Sequence, residues 1–410
     1  MEKRLEKYCD LIVKRGVNVQ KKQTLFITAP VENADMVRMI TEKAFAAGAG
    51  DVVVQWLDEG MDKIRYLNAD IEKFKKYEPW KKMKSDMLSK SGAAFLSISS
   101  STPEIFRDID IEKLVEYGKA KSEGTKVYRQ FQSKGDLQWC GCAAASEGWA
   151  KKVFPNEKDT ESAVNRLWNA IFNCSRVDEK DVMANWNTHE VNLNKRVTAL
   201  NKHNFKSLIY KNSLGTEFEL GLAEGHIWHC ATTYKSTSGV KYSPNIPTEE
   251  IFTAPDRNRA EGVVYGAKPF IYLGTVIEDF AIWFKAGKVV KVKAKKNQEA
   301  LEKLISNFKN ADRLGEVALV PYNSPISESG VLFYNTLYDE NASCHLALGR
   351  SFYRWVKNTK GKSEKELTKM GLNLSPTHND FMIGTKDLSI TGVKKDGKKV
   401  DVFVNGNFTF

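Results

Sequence analysis

No apolar run in the 410 residues comes near the length of about twenty that a membrane-spanning helix needs. The chain is therefore expected to make no membrane crossing. Nothing apolar follows the basic start either, because MEKRLEKYCDLIVKR reads as an amphipathic helix and argues against a cleaved secretory signal. Cysteine is scarce, and Cys9, Cys140, Cys142, Cys174, Cys230 and Cys344 lack any framework spacing. Cys140-x-Cys142 is too tight for the usual C-x₂-C zinc knuckle, so reduced, mostly buried thiols in a cytoplasmic protein are expected. No Walker lysine pattern occurs, and Gly48-x-Gly50 opens a strand where a phosphate-binding turn would close one. Nucleotide binding is thereby rejected.

What is present describes a folded protein able to bury large cores, with 42% hydrophobic and 28% charged residues. A chain of 410 residues exceeds what one hydrophobic core usually serves, so two domains are expected. The formal charge of +11 raises the question of nucleic acid or acidic surfaces. The lysines are dispersed, however, and their clusters have structural explanations. KVVKVKAKK (288–296) alternates like a strand with one solvated face, and KKDGKK (394–399) surrounds an Asp-Gly hairpin turn. No RNP, helix-turn-helix or zinc-finger pattern accompanies the charge, so a non-catalytic nucleic-acid-binding protein stays the minor alternative.

Taken in order, helix and strand alternate. Leu5, Tyr8, Cys9, Ile12 and Val13 fall at helical spacing before the strand TLFIT, and Val37 to Phe45 form a helix that leads into VVVQWL. The pattern predicts a parallel crossover, continued by AAFLSIS, a helix near 111–119 and LQWCGCAAA. An N-terminal α/β domain with a mostly parallel sheet follows. Helical spacing returns over 162–172 and 181–200, after which short β-rich pieces take over from Phe205, with one clear helix over 297–309. The boundary is placed near Asn187, giving an α/β domain over 1–187 and an α+β domain over 188–410.

The residues able to carry chemistry lie in the second half. YSPNIPTEEIFTAPDR (242–257) holds Glu249 and Glu250 on a segment that Pro244, Pro247 and Pro255 keep non-helical. On an extended chain the two acids face opposite ways, so only one enters a common site. An isolated Glu-Glu pair is ordinarily a solvated surface feature. Downstream stand Glu316, opening the strand EVALVP; Glu340, five positions before His345; and His378-x-Asp380, on one face of a short strand. Glu340 and His345 share a face only if Asn341 to Cys344 bend. His226-x₂-His229 is the rival metal pair, but on a strand residues three apart face opposite sides, and both read as structural. His189 and His203 read as helix-surface or helix-end residues. A hydrolase with two divalent cations about 3.5–4 Å apart needs roughly six carboxylate-rich ligands. The acids and imidazoles of this half are of that kind.

At these residues NIPTEEIFTAPDR, ASCHLALG (342–349) and THNDFMIGTKDLSITG (377–392) closely resemble the signature segments of the aminopeptidase T / aminopeptidase S family of metallopeptidases. The resemblance extends to their order and spacing and to the chain length. It implies an aminopeptidase with two divalent metal ions per chain (Co²⁺ or Zn²⁺, with Mg²⁺ or Mn²⁺ as further candidates). Its substrates would be peptides with a free N-terminus, and it would form a homodimer. The implied ligands are Glu250, Glu316, Glu340, His345, His378 and Asp380. The family's active-site tyrosine falls a few residues beyond the histidine of CHLALG. Here the run is Arg350-Ser351-Phe352-Tyr353, which offers Tyr353 shifted by one position or leaves the role unfilled. Glu249 is the candidate for proton transfer, with a supporting or merely solvated role as its alternative. A di-metal phosphoesterase would use similar ligands but would add cationic clamps, for which Asp256-Arg257 and Arg350 supply the only nearby candidates.

Overall fold

The computed structural model describes residues 1–177 and 180–410. Its contacts divide into two compact units, the first formed by Met1–Val191 with Ala231–Thr248 and the second by Asn192–Cys230 with Glu249–Phe410.

The first unit opens with α1 (Glu2–Leu11), β1 (Thr24–Pro30), α2 (Ala34–Ala46) and β2 (Asp51–Leu57). It continues through α3 (Glu59–Asn68), α4 (Pro79–Lys90), β3 (Ala94–Ser99), α5 (Ile111–Gly124), α6 (Lys126–Lys134) and β4 (Trp139–Ala143), then α7 (Glu147–Val153) and α8 (Thr160–Cys174). The strands form a parallel sheet in the order β2-β1-β3-β4. Leu25, Ile27 and Leu96 are fully or almost fully buried. That is the behaviour of strands covered by helices. α9 (Val182–His203) contains the break between Val191 and Asn192. His189, expected at a helix surface, is instead buried, with its Nε2 2.8 Å from the Thr248 carbonyl and its ring edge-on to Trp186.

The chain changes unit at three points, where the sequence suggests one near Asn187. The reason lies in main-chain pairing of the returning segment. The Ser243 N–H donates to the carbonyls of Arg15 and Gly16, the Gly141 N–H donates to Pro244, and the Ile246 N–H donates back to Gly141. No local sequence signal announces that a stretch about 100 residues past β4 will hydrogen-bond to it.

The second unit is built mainly from antiparallel strands. In chain order these begin with β5 (Ser207–Lys211), β6 (Glu217–Leu222) and β7 (His229–Cys230); the returning segment, part of the first unit, then carries β8 (Tyr234–Lys235) and β9 (Lys241–Tyr242). Next come β10 (Ile251–Thr253), β11 (Pro255–Tyr265), β12 (Phe270–Tyr272), β13 (Thr275–Lys285), β14 (Lys288–Lys296) and β15 (Leu314–Leu319). The last are β16 (His345–Gly349), β17 (His378–Met382), β18 (Ser389–Val393), β19 (Lys399–Val404) and β20 (Asn407–Phe408). One sheet runs β12-β13-β11-β6-β5-β18-β19-β20 with β14 on β13, and the other runs β17-β16-β15-β10-β7. The helix expected over 297–309 is Gln298–Ser306. Three short helices that the sequence pattern does not announce accompany it, at Pro325–Glu328, Thr336–Asp339 and Glu364–Lys369. Each is capped by Ser324, Asn335 or Ser363, so side-chain capping stabilises segments too short for a periodic signal.

Candidate metal centre

The register of the β17-β16-β15-β10 layer decides which side chains meet. Glu316 of β15 pairs with Ala347 of β16, and Ala347 pairs with Asp380 of β17. Directly opposed residues share a face, so Glu316 and Asp380 flank a methyl group on one side of the sheet. His345 lies two residues before Ala347, and Gly349 opposite His378 lies two residues after, so both histidines join that face. Phe252 of β10 pairs with Ala318, which continues the alternation from Glu316, and Glu250 precedes Phe252 by two. Four neighbouring strands thus direct Glu250, Glu316, His345, His378 and Asp380 to one surface. Ala318, Ala347 and Gly349, small residues on the two central strands, leave a hollow there.

Glu316 occupies its place because of a bulge. The β15–β16 register shifts by one between Leu314 and Glu316. An extra residue re-aims everything beyond it. Only glycine fits at the intervening position, since a Cβ on Gly315 would stand 2.2 Å from the Gly349 carbonyl oxygen. Glu316 therefore sits inside a fully buried strand, where the sequence pattern suggests a strand start.

The donor atoms fall into two groups sharing Glu316. Glu250, Glu316 and His345 form one, and Glu316, His378 and Asp380 form the other, each with its ligand atoms within 4.8 Å of one another. His345 Nε2 lies 3.2 Å from Glu250 Oε2, while its Nδ1 faces the main-chain carbonyls of Glu340 at 2.9 Å and Ser343 at 3.1 Å. His378 Nε2 lies 2.9 Å from Glu316 and 3.5 Å from Asp380, with Nδ1 2.7 Å from the Arg350 carbonyl. A carbonyl accepts only from N–H, so each Nδ1 carries the proton there and Nε2 is turned toward the carboxylates. Such outer contacts fix the ring and tautomer of metal-binding histidines.

The other sequence candidates take different places. Glu340 lies in the one-turn helix Glu340–Ala342, followed by extended Ser343, so the chain bends between it and His345. Its carboxylate belongs to neither donor group, although it feels the charges of Asp380, Glu250, His345 and Glu316. Glu249 is buried, not solvated, and its N–H donates to Asn341 Oδ1 at 2.7 Å. Tyr353 is half-buried in the turn Tyr353–Trp355, with its carbonyl accepting from Thr359. The ring set edge-on to His378 is that of Phe352, 5.7 Å between centroids. Phe352 also packs on Trp355, and Trp355 on Phe252, forming an aromatic wall. Sequence reasoning misses Asn341. Fully buried, it ties Glu249 to the Leu337 carbonyl, yet in sequence it passes for one of the small residues of a bend. The rival histidines are structural: His226 Nδ1 contacts the Ala223 carbonyl at 3.0 Å and His229 Nε2 that of Arg354 at 3.1 Å.

Electrostatics show what these side chains suit. Burial pushes the Glu316 carboxyl up to about 7 against the pull of His378, with Glu250 and Asp380 adding to the rise. Burial and the same acidic neighbours raise Glu340 well above the usual carboxylate range. Burial disfavours a charged His345, but Glu250, Asp380 and Glu340 overcome it and lift the imidazole to about 10. His378 is raised well above its ordinary value by Asp380 and Glu316 against burial, and Asp380 is lowered by His378. Acids that hold protons and imidazoles that stay charged are both responses to unneutralised negative charge in a dry site. Divalent cations neutralise that charge, and oxygen and imidazole donors suit them. The residues present fit such ions.

A sheet face bearing two carboxylate–imidazole groups joined by one glutamate offers donors of the kind that metallohydrolases use. Over residues 1–408 the chain matches the family described as thermophilic metalloprotease (M29), and it belongs to that family. It is 41% identical to "Aminopeptidase AmpS" of Bacillus subtilis (strain 168) over 407 residues, 99% of this chain and 98% of that one. It is 42% identical to "Aminopeptidase 2" of Geobacillus stearothermophilus over 409 residues, covering 100% and 98%. Its structure superposes on wild-type AmpT from Thermus thermophilus with a TM-score of 0.91 at 34% identity, each chain covered in full.

Proposed function

We propose that this protein is a metal-dependent aminopeptidase that hydrolyses N-terminal residues from peptides, with a pair of divalent cations in the hollow. The observation that carries the reading is the sharing of Glu316 between two donor groups. In this reading Glu250, Glu316 and His345 would hold one cation and Glu316, His378 and Asp380 the other, with Glu340, outside both groups, as the further ligand that the family resemblance implies. Bound ions of this kind supply a Lewis acid for the scissile carbonyl and a water acidic enough to act near neutral pH. The ions are Co²⁺ or Zn²⁺ in the first instance, on the family's account.

The chain's own residues do the rest. The Nδ1 contacts of His345 and His378 keep both rings oriented before substrate arrives, so little reorganisation is needed. Glu249, buried beside the ligand Glu250 and anchored through its N–H to Asn341, is the group assigned to move a proton. Tyr353 is assigned a hydrogen bond to the developing oxyanion, on the strength of its position next to Phe352, which packs on His378. Tyr353→Phe tests that role through kcat. The aromatic wall of Phe252, Phe352 and Trp355 offers apolar surface to a substrate side chain. A cytoplasmic location and a homodimer belong to the same reading. Among the described residues no helix is long and apolar enough to cross a membrane.

The test is Glu316→Ala in purified protein, with aminoacyl-anilide cleavage and elemental analysis measured together. Activity is expected to fall by at least about 10²-fold, the scale on which losing one preorganised electrostatic contact slows catalysis. Bound metal should fall from two ions per chain. Full turnover by metal-saturated Glu316→Ala protein sinks the proposal. Cleavage of a phosphate ester in place of the anilide, abolished by chelator, would transfer the site to phosphoester chemistry.

A further inference from the structure

One face of the parallel sheet in the first unit is incompletely filled. The row Val53, Phe26, Phe95 and Trp139 crosses all four strands in register and packs under α4 and α6 as an apolar core. Two residues further along, the next row on the same face is Gln55, Thr28, Ser97 and Gly141. Small and polar groups there replace the large apolar ones that helix-covered parallel strands normally present. Ser97, on an interior strand, is left exposed as a result. The space above this row is a cavity of about 460 Å³. That is the size range of small-molecule sites.

The groups around the cavity carry charge of one sign. Lys81 and Lys84 reach it from α4 and Lys121 from α5, with Tyr77 and Tyr128 as aromatic walls, and among the described residues no acidic side chain lines it. Lys81 is held by Glu78 at 3.0 Å and Tyr117 at 3.2 Å. Among the described residues Lys84 has one hydrogen-bond partner, the neutral Gln55 side-chain oxygen, and stands 5.3 Å over the Phe26 ring and 5.5 Å over that of Trp80. Lys121 makes no hydrogen bond or ion pair among the described residues; Asp62 is the one acid whose field it feels. The Trp139 indole N–H, in the wall, has no acceptor. Desolvation and the Lys81 charge lower the pKa of Lys84, and both act on Lys121 against Asp62. Two ammonium groups, Lys84 half-buried and Lys121 exposed, thus stand around a concave, partly apolar space without a carboxylate partner among the described residues.

We infer that this cavity is a binding site for a small organic anion with an aromatic or apolar body, its carboxylate or phosphate held by Lys84 and Lys121. Aromatic walls take the body and the row Gln55-Thr28-Ser97 offers hydrogen bonds. Amine-bearing ligands are disfavoured by the lysines, so peptides with a free N-terminus are not its occupants. The site is independent of the peptidase reading, since none of its residues belongs to the metal centre.

The experiment is titration calorimetry on the full-length, metal-loaded protein with phenyl phosphate and phenylacetate, and with benzyl alcohol as the uncharged control. Saturable binding of at least one anion is expected, with benzyl alcohol weaker by about tenfold or more. A phosphate-ester ligand favours phenyl phosphate and a carboxylate ligand favours phenylacetate. The double variant K84Q/K121Q should weaken the anion about tenfold or more. Ser97→Phe, which keeps every lysine and fills the space, should abolish binding. Glu316→Gln should bind as wild type, which separates this cavity from anion capture at the metal centre. No saturable binding of either anion, wild-type affinity in folded K84Q/K121Q or Ser97→Phe protein, or loss of binding in Glu316→Gln overturns the inference.

Discussion

Two histidines of the metal centre and one outside it respond oppositely to burial, and their neighbours decide the sign. His345 and His378 are surrounded by carboxylates, so their pKa values rise although burial alone would lower them. His229 is held at the Arg354 carbonyl and near the Arg354 charge; burial first and the Arg354 charge second outweigh that hydrogen bond and lower it to about 4. A histidine that is neutral in the folded state and basic in the unfolded state weakens folding in acid. Between about pH 6.5 and pH 4 the unfolded chain binds the extra proton, so stability falls as pH drops through that window, by at most about 3 kcal/mol from this group. Urea unfolding at pH 7 and pH 4.5 should therefore show a larger acid decrement in wild type than in His229→Gln. Equal decrements would show that His229 does not titrate in that window.

At the scale of the element, the β15–β16 ladder does most to assemble the centre. The shift at Gly315 brings Glu316 opposite Ala347 and in line with Asp380. Gly315→Ala would force Cβ to within 2.2 Å of the Gly349 oxygen unless the strands part. Such overpacking costs about 1–3 kcal/mol. Because the displaced neighbour is Glu316, catalysis should suffer more than stability. The expected result is a drop in melting temperature of a few degrees together with a loss of anilide cleavage of about tenfold or more. An unchanged activity in a destabilised protein would remove the bulge from the mechanism. Elements with clear local patterns were legible in the sequence: the alternating helices and strands of the first 143 residues, the Asp-Gly hairpin turn within 394–399 and the helix at 298–306. Every histidine and acid of the two donor groups was legible too, through side-chain chemistry and motif resemblance. What escaped depends on long-range register. The bulge at Gly315, Asn341 behind Glu249, the burial of His189 and the return of Ala231–Thr248 each arise from residues distant in the chain, and no local period encodes them.

For the molecule as a whole, the metal centre sets a cost that the fold carries whenever cations are absent. Glu250, Glu316, Glu340, Asp380 and two histidines are gathered in or beside one hollow. The cation-free protein answers by taking up protons, with Glu316 raised to about 7 and Glu340 and both histidines raised as well. All four have folded values above their unfolded ones, so the folded state binds more protons than the unfolded state in the intervening range. The stability these protons confer is present at low pH and is lost as pH rises through the folded values. For Glu316 the loss runs from about pH 4.5 to about pH 7, and for His345 from about pH 6.5 to about pH 10. On the proposed reading cations would replace these protons, with binding that strengthens as the protons leave. The cation-free protein should therefore unfold at a lower temperature at pH 8.5 than at pH 6. Saturating Zn²⁺ or Co²⁺ should raise the melting temperature at both, and more at pH 8.5. At a concentration 100 times the dissociation constant, each ion that binds only the folded chain adds about 2.7 kcal/mol. Calorimetric unfolding of chelated and metal-loaded protein at the two pH values measures the difference directly. A metal-induced gain that is the same at both, or larger at pH 6, would mean that the protons and the cations do not compete for the same buried acids.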